Sequence, residues 1–147
     1  GNQPIIVILR SDGGIVAHGF TMARAIKEAQ NPVICVVDEK AFSMAFYVLE
    51  SCDRRIMTYG SLLMMHRPYR ADGAPLSDSE RIFLEFMFRA MCEQMSLKMK
   101  LNGPELGALF SVSDVFFTWR EAISVGAVDL VVESVDDILK NPLREAL

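Results

Sequence analysis

Three side chains in this sequence are of the types that build an activated nucleophile: Ser43, His66 and Asp114. A serine hydroxyl attacks poorly until a base takes its proton. An imidazole is the usual base near neutral pH, and a carboxylate can hold it in the tautomer that leaves its accepting nitrogen facing the serine. Each residue also has a plainer reading. Ser43 falls at a predicted strand-to-helix junction, where a serine serves equally well as an N-cap. If it instead sits on a tight bend, the N–H of Met44 points to where an oxyanion would form. Ala41 and Ala45 flank it, so no G-x-S-x-G motif is present. His66 closes an apolar run and is either a satisfied core imidazole or a base. The other histidine, His18, is expected on the polar face of a helix. Asp114 precedes Phe116-Phe117, and a carboxylate in apolar company needs a partner, for which an imidazole N–H would serve. Gly13-Gly14 follows an apolar run, where glycines either make a simple turn or expose backbone N–H groups to a ligand. The pair belongs neither to a P-loop nor to a complete G-x-G-x-x-G fingerprint.

The elements that must position these residues follow from the apolar pattern. Pro4–Leu9 and Val33–Val37 are short β-branched runs of the kind found in buried parallel strands, and a helix is expected between them from Ala17 to Ala29. Strand, helix, strand is a βαβ unit with a right-handed crossover. Met44–Ser51 is expected to be helical, with strands at Arg55–Tyr59 and Leu62–Met65. Tyr69–Leu76 is polar and irregular, with Gly73 and Pro75. Ser77 and Glu80 form a capping box that opens a long helix to about Lys100. Asn102-Gly103-Pro104 stops it and opens a short helix to about Phe110. Thr118 and Glu121 form a second capping box, Gly126 suits the C′ position of that helix, and Val128–Val132 is a last strand. The pattern is that of a single α/β domain.

The long helix is apolar over more than one face. Phe83, Met87 and Met91 make one stripe, and Leu84, Phe86, Phe88 and Met95 widen it beyond what one core contact requires. Either the helix is buried centrally, or it projects and packs on another subunit; Arg81, Glu85, Arg89 and Glu93 require water on one side and favour projection.

Composition excludes several classes. The 147 residues are 51% hydrophobic, too apolar for a disordered chain. With 15 basic against 19 acidic residues and no basic run, the chain is not a general nucleic-acid binder. No apolar run is long enough to cross a membrane, and no secretory signal pattern opens the chain. Cys35, Cys52 and Cys92 are odd in number and form no C-x-x-C pair, so they read as small buried hydrophobes in a reducing compartment, and cytoplasm is the expected location. No cofactor or metal motif is present. Gly1 followed at once by a strand-like run reads as a trimmed end.

Four blocks in order resemble the proteolytic subunit of Clp protease, in the ClpP/crotonase superfamily. Ser11-Asp12-Gly13-Gly14 resembles the family's Ser-Pro-Gly-Gly loop. Ala41-Phe42-Ser43-Met44-Ala45 resembles its Ala-Ser-Met-Gly elbow, and Met64-Met65-His66-Arg67-Pro68 its Met-Ile-His-Gln-Pro block. Asp114-Val115-Phe116-Phe117, then Glu121-Ala122, Gly126 and Asp129, resembles its closing block. The resemblance implies a repeated β-β-α superhelical fold with a projecting handle helix. It implies a Ser43–His66–Asp114 triad and an oxyanion hole from the N–H groups of Gly14 and Met44. It places Gly13, Tyr69, Arg70 and Ala71 against an extended peptide, the segment from Tyr69 to Leu76 acting as an edge strand that pairs with substrate. Residues from about 69 to 100 would form a handle that joins copies of the chain into rings, with a separate AAA+ unfoldase as a further partner. The family's N-terminal stretch before the Gly loop has no counterpart here, so a single domain over 1–147 without that stretch is expected.

Asp12 stands where the family has Pro, and Ala45 where it has Gly. An aspartate turned inward beside an oxyanion hole would oppose catalysis. Three other readings compete. One is a crotonase-like acyl-CoA enzyme, which uses two backbone N–H groups and no serine. Another is a membrane protease with a Ser–Lys dyad through Lys40, though Lys40 is expected to point to solvent. The third is a ring subunit without activity.

Overall fold

A computed structural model describes residues 3–146; Gly1, on which the trimmed-end reading rests, lies outside them. The elements run β1 (Ile5–Ser11), α1 (Val16–Glu28), β2 (Val33–Phe42), α2 (Met44–Leu49), β3 (Arg54–Thr58), β4 (Leu62–Met65), α3 (Asp78–Ser96), α4 (Gly103–Val112), β5 (Val115–Phe117), α5 (Trp119–Ser124), β6 (Leu130–Val132), α6 (Val135–Leu139) and α7 (Pro142–Ala146). The architecture is α/β, as expected. The Val-Phe-Phe strand β5 was not anticipated, because three residues give too short a run to read as a strand.

The longest strand, β2, organises the sheet. Its first half pairs in parallel with β1 and β3, and its last residues, Lys40–Phe42, pair in parallel with β4. The strand changes neighbours at Glu39, a non-glycine residue at φ 73°, and β1 shifts register opposite it between Leu9 and Ser11. Such a bulge bends a strand and re-aims the residues beyond it. Past the bend, β4 pairs antiparallel with β5. At the other side, β3 pairs in parallel with β6.

Alternation along β2 divides its side chains between two faces, as period-2 geometry requires. Val33, Cys35, Val37 and Ala41 face the large core with α2, α3, α4 and Phe117. Ile34 and Val36 face a smaller cluster with Ile56 and Ile138 under α6. Two capping boxes anticipated from sequence are present, at Ser77/Glu80 and Thr118/Glu121, and two more occur at Asn102/Glu105 and Ser134/Asp137. Gly126 takes φ 72° after α5, the left-handed conformation its C′ role needs.

The cysteine expectation is overturned. Cys35 in β2 and Cys52, just past α2, form a disulfide with their Cα atoms 5.9 Å apart, and only Cys92 is free. The short α2 turns the chain back over β2, which brings together two residues 17 apart in sequence. An odd count hid one pair plus one free thiol, and the argument from cysteine usage to a reducing compartment does not stand. Among the described residues no helix is long and apolar enough to cross a membrane.

A buried ionic cluster fixes the far end of α2. The Arg55 guanidinium donates to Glu50 Oε2 at 2.6 Å, to the Gly126 carbonyl at 2.7 Å and to Asp129 Oδ1 at 2.7 Å. Glu50 caps the C-terminal end of α2 and is fully buried; its Oε1 has no hydrogen-bond partner among the described residues. Burial outweighs the attraction of Arg55 and pushes the Glu50 carboxyl up to about 8. Asp129 shifts the other way: against the upward pull of burial, hydrogen bonds from Arg55 hold its carboxyl low.

Candidate active site

The residues singled out from sequence converge on one edge of the sheet. Gly13-Gly14 follow β1, Ser43 follows β2, His66 follows β4, and Asp114 immediately precedes β5. In this half of the sheet the neighbours run β1, β2, β4, β5, with the first three parallel and β5 antiparallel. Residues after three parallel strands and before an antiparallel fourth must emerge at the same end. Ligands of open α/β sheets bind outside the carboxyl ends of the strands.

Ser43 occupies a strained bend. Its φ of 56° and ψ of −122° lie outside the ordinary regions for a side-chain-bearing residue. Its hydroxyl makes no capping hydrogen bond to α2, so the N-cap reading does not apply. The Ser43 N–H donates to the Met64 carbonyl at 2.7 Å, extending the β2–β4 ladder by one step and locking the bend to β4. The Met44 N–H opens α2 and has no intrahelical acceptor.

The glycine loop reaches the same bend. Gly13 has φ 93°, and a Cβ there would lie 2.5 Å from the Phe42 carbonyl oxygen and 2.8 Å from the Ser43 Cβ. Only glycine permits that approach. The Ser11 hydroxyl accepts the Gly13 N–H at 3.0 Å, whereas among the described residues no hydrogen bond takes the N–H of Gly14. Two N–H groups beside a serine bent out of the ladder are the raw material of an oxyanion hole. Asp12 also lines the cleft beside them, and its carboxylate pairs with Lys40 Nζ at 2.7 Å, which offsets its charge. Lys40 is therefore an ion-pair partner rather than a freely solvated side chain, and it also lies 5.8 Å from the Phe42 ring centroid.

Ser43 and His66 line one cleft of about 540 Å³ with Gly13, Gly14, Tyr69 and Ala71. No hydrogen bond joins the serine and the imidazole among the described residues. His66 Nδ1 lies 2.7 Å from the Arg67 carbonyl oxygen, and the ring packs 5.2 Å from Tyr69. Asp114 is not part of the cleft lining. It is exposed, so burial does not compel it to find a partner, contrary to the expectation from its aromatic neighbours. Leu63–Phe117, Met64–Phe116 and Met65–Val115 are paired, and His66 and Asp114 each lie one residue beyond the last of these pairs.

Tyr69 to Leu76 forms no strand. A turn closes with the Gly73 N–H donating to the Arg70 carbonyl at 3.1 Å, and Arg70 pairs with both Asp72 and Glu80. Gly73, at φ 67°, and Pro75 interrupt any ladder. The edge strand inferred for Tyr69, Arg70 and Ala71 is thus absent, although Tyr69 and Ala71 do line the cleft and Arg70 is held away by its ion pairs.

Sequence reasoning missed a second, smaller pocket of about 170 Å³ that shares Gly13, Gly14 and Ile15 with the cleft. Leu9, Met22, Met44 and Val48 give it an apolar wall, and His18 stands on its lining. The spacing of Met22, two turns into α1, carried that signal only once α1 was known to pack on α2. Among the described residues no cluster of side chains suits a metal ion.

Comparison with known proteins gives a family and a fold. The family model described as Clp protease matches residues 1–135. The "ATP-dependent Clp protease proteolytic subunit 1" of Protochlamydia amoebophila is 27% identical over 145 residues, covering 92% of this chain and 68% of its own length. The protein of the same name from Streptomyces avermitilis is 28% identical over 147 residues, covering 97% and 67%. Among solved structures, the ClpP1 N165D mutant from Listeria monocytogenes superposes with a TM-score of 0.82 at 20% identity, over 92% of this chain and 77% of that one, and so shares the fold.

Proposed function

The chain belongs to the Clp protease family, and we propose that it is a serine endopeptidase of extended peptides, acting through Ser43, His66 and Asp114. The observation that carries this reading is the placement of the three residues, with Gly13-Gly14, at one end of four neighbouring strands. In this reading Ser43 attacks the scissile carbonyl while His66 takes its proton and then gives it to the leaving amine. The N–H groups of Gly14 and Met44 hold the oxyanion, and Asp114 stabilises the imidazolium. The apolar pocket behind the glycine loop suits an apolar side chain next to the scissile bond.

The second part of the proposal is assembly. Ile82, Phe83 and Phe86 on α3 are 68%, 59% and 69% exposed, while Phe88, Met91 and Met95 on the same helix are buried in the core. A helix with one face in its own core and a second apolar face in water fits contact with another copy of the chain, so that the sites lie within a compartment. A separate ATPase would then deliver unfolded polypeptide.

Hydrolysis of a fluorogenic tripeptide amide tests the chemistry. Ser43→Ala is expected to lower kcat by about 10³-fold or more. A Ser43→Ala chain that cleaves at the native rate, or a native chain that binds acyl-CoA thioesters and cleaves no peptide, would overturn the reading in favour of a crotonase-like enzyme.

A further inference from the structure

We infer that Lys40 is a positioning residue for the oxyanion donors: through its ion pair with Asp12 it pins the glycine loop to the strand that carries Ser43 and keeps the Asp12 carboxylate from opposing the oxyanion. This role rests on the peptidase reading of the cleft.

The loop needs a tie that the sheet does not give it. β1 and β2 are paired at Leu9–Val37 and next at Ser11–Ala41, so Asp38, Glu39 and Lys40 lie against Arg10 alone. Ser11–Ala41 is the last rung. Past it, Gly13 comes so near the Phe42 carbonyl and Ser43 Cβ that no side chain fits, yet among the described residues no hydrogen bond joins Gly13 or Gly14 to Phe42, Ser43 or Met44. Contact of that kind resists compression but not separation. Two ion pairs bridge the bulge instead: Arg10 with Asp38, and Asp12 with Lys40 Nζ at 2.7 Å. The charges run positive then negative along β1 and negative then positive along β2, so a slipped register would set like charges together. Lys40 Nζ is steadied further by the Phe42 ring, 5.8 Å from its centroid, and Phe42 in turn packs edge-on against Phe116.

The second effect is electrostatic. Asp12 lines the same cleft as Gly13, Gly14, Ser43 and His66. A fixed negative charge there disfavours a second one on the tetrahedral intermediate. Lys40 counters that charge at contact distance. The two effects separate by variant. Asp12→Asn loses the pin and the charge together, whereas Lys40→Met loses the pin and sets the charge free. The Asp12 and Lys40 side chains are 76% and 37% exposed. An exposed ion pair shifts an equilibrium by about fivefold at most, so the freed charge is the larger effect.

On a fluorogenic peptide amide, Asp12→Asn should lower kcat by about two- to fivefold and Lys40→Met by more than about tenfold, with KM unchanged in both. Adding Asp12→Asn to Lys40→Met should bring kcat back to the Asp12→Asn level, and Lys40→Arg should stay within about twofold of the native chain. Arg10→Met, which cuts the neighbouring pair between the same two strands, should also stay within about twofold. A native kcat in Lys40→Met, a fall that Asp12→Asn does not relieve, or an equal fall in Arg10→Met would overturn the role of Lys40. The pin is also readable without turnover. In a chain labelled with ¹⁵N-glycine, the Gly13 and Gly14 resonances should move in Lys40→Met and return in Lys40→Arg, while those of Gly60 and Gly107 stay in place; Gly13 and Gly14 resonances indifferent to Lys40→Met would remove the pin. The expected spectra from a chain that cleaves no peptide would support the pin and refute the proposed reaction.

Discussion

Gly13 makes the most demanding approach in the site, and its replacement should be costly in a specific way. A methyl group at Gly13 would press on the Phe42 carbonyl and the Ser43 Cβ from a backbone at φ 93°. Gly13→Ala should therefore displace the glycine loop from the Ser43 bend and weaken the oxyanion donors. Loss of one such donor costs about 10²–10³-fold in kcat. Steady-state kinetics on a peptide substrate should show that fall in kcat with little change in KM; an unchanged kcat would place the oxyanion hole elsewhere. At this scale the sequence was informative about which residues gather at the cleft and silent about how they meet. Ser43, His66 and the glycine pair were legible because chemistry restricts the residue types. The Asp12–Lys40 pair was not, since nothing in the pattern says that a bulge at Glu39 turns Lys40 toward the glycine loop.

Among the elements, α2 and α3 carry the testable consequences. Burial holds the Glu50 carboxyl at about 8, well above its ordinary 4.5. Across that window the folded chain keeps a proton that the unfolded chain releases, so the contribution of Glu50 to stability falls as pH rises. Thermal unfolding midpoints should decline through this range in the native chain, and Glu50→Gln should flatten the decline; an equal decline in the variant would show that another group sets it. The low carboxyl of Asp129 works in the opposite sense, and its stabilisation is lost as pH falls. On α3, Phe86→Asp places a charge on the exposed apolar face and leaves the buried Phe88, Met91 and Met95 intact. Light scattering on a sizing column should show a smaller assembly without loss of helix content, and an unchanged mass would remove α3 from the interface. The double apolar face of α3 was legible from its heptad-like excess of large side chains. The irregular course of Tyr69–Leu76 was legible from Gly73 and Pro75, and only the family resemblance implied an edge strand there.

The whole molecule is a curved sheet that gathers four chain turns at one edge and leaves an apolar helix face in water. That arrangement predicts a division of labour. The chain should cleave short peptides unaided, because the cleft is open, but should degrade a folded protein only when a separate ATPase is added, since the sequence carries no nucleotide-binding motif of its own. Degradation of a stably folded substrate by the chain alone, monitored by gel electrophoresis, would contradict this. The α/β class, the βαβ start and the order of elements as far as α4 were legible from periodicity and punctuation, whereas the three-residue β5 was not. The branching of the sheet at β2 was not, because pairing of one strand with three neighbours depends on a single residue at positive φ. The central claim is that Ser43 is an activated nucleophile, and the most direct measurement is labelling with a fluorophosphonate and peptide mass mapping of the product. The account predicts one adduct, on Ser43, which disappears in Ser43→Ala; a folded chain that remains unlabelled at Ser43 would contradict it.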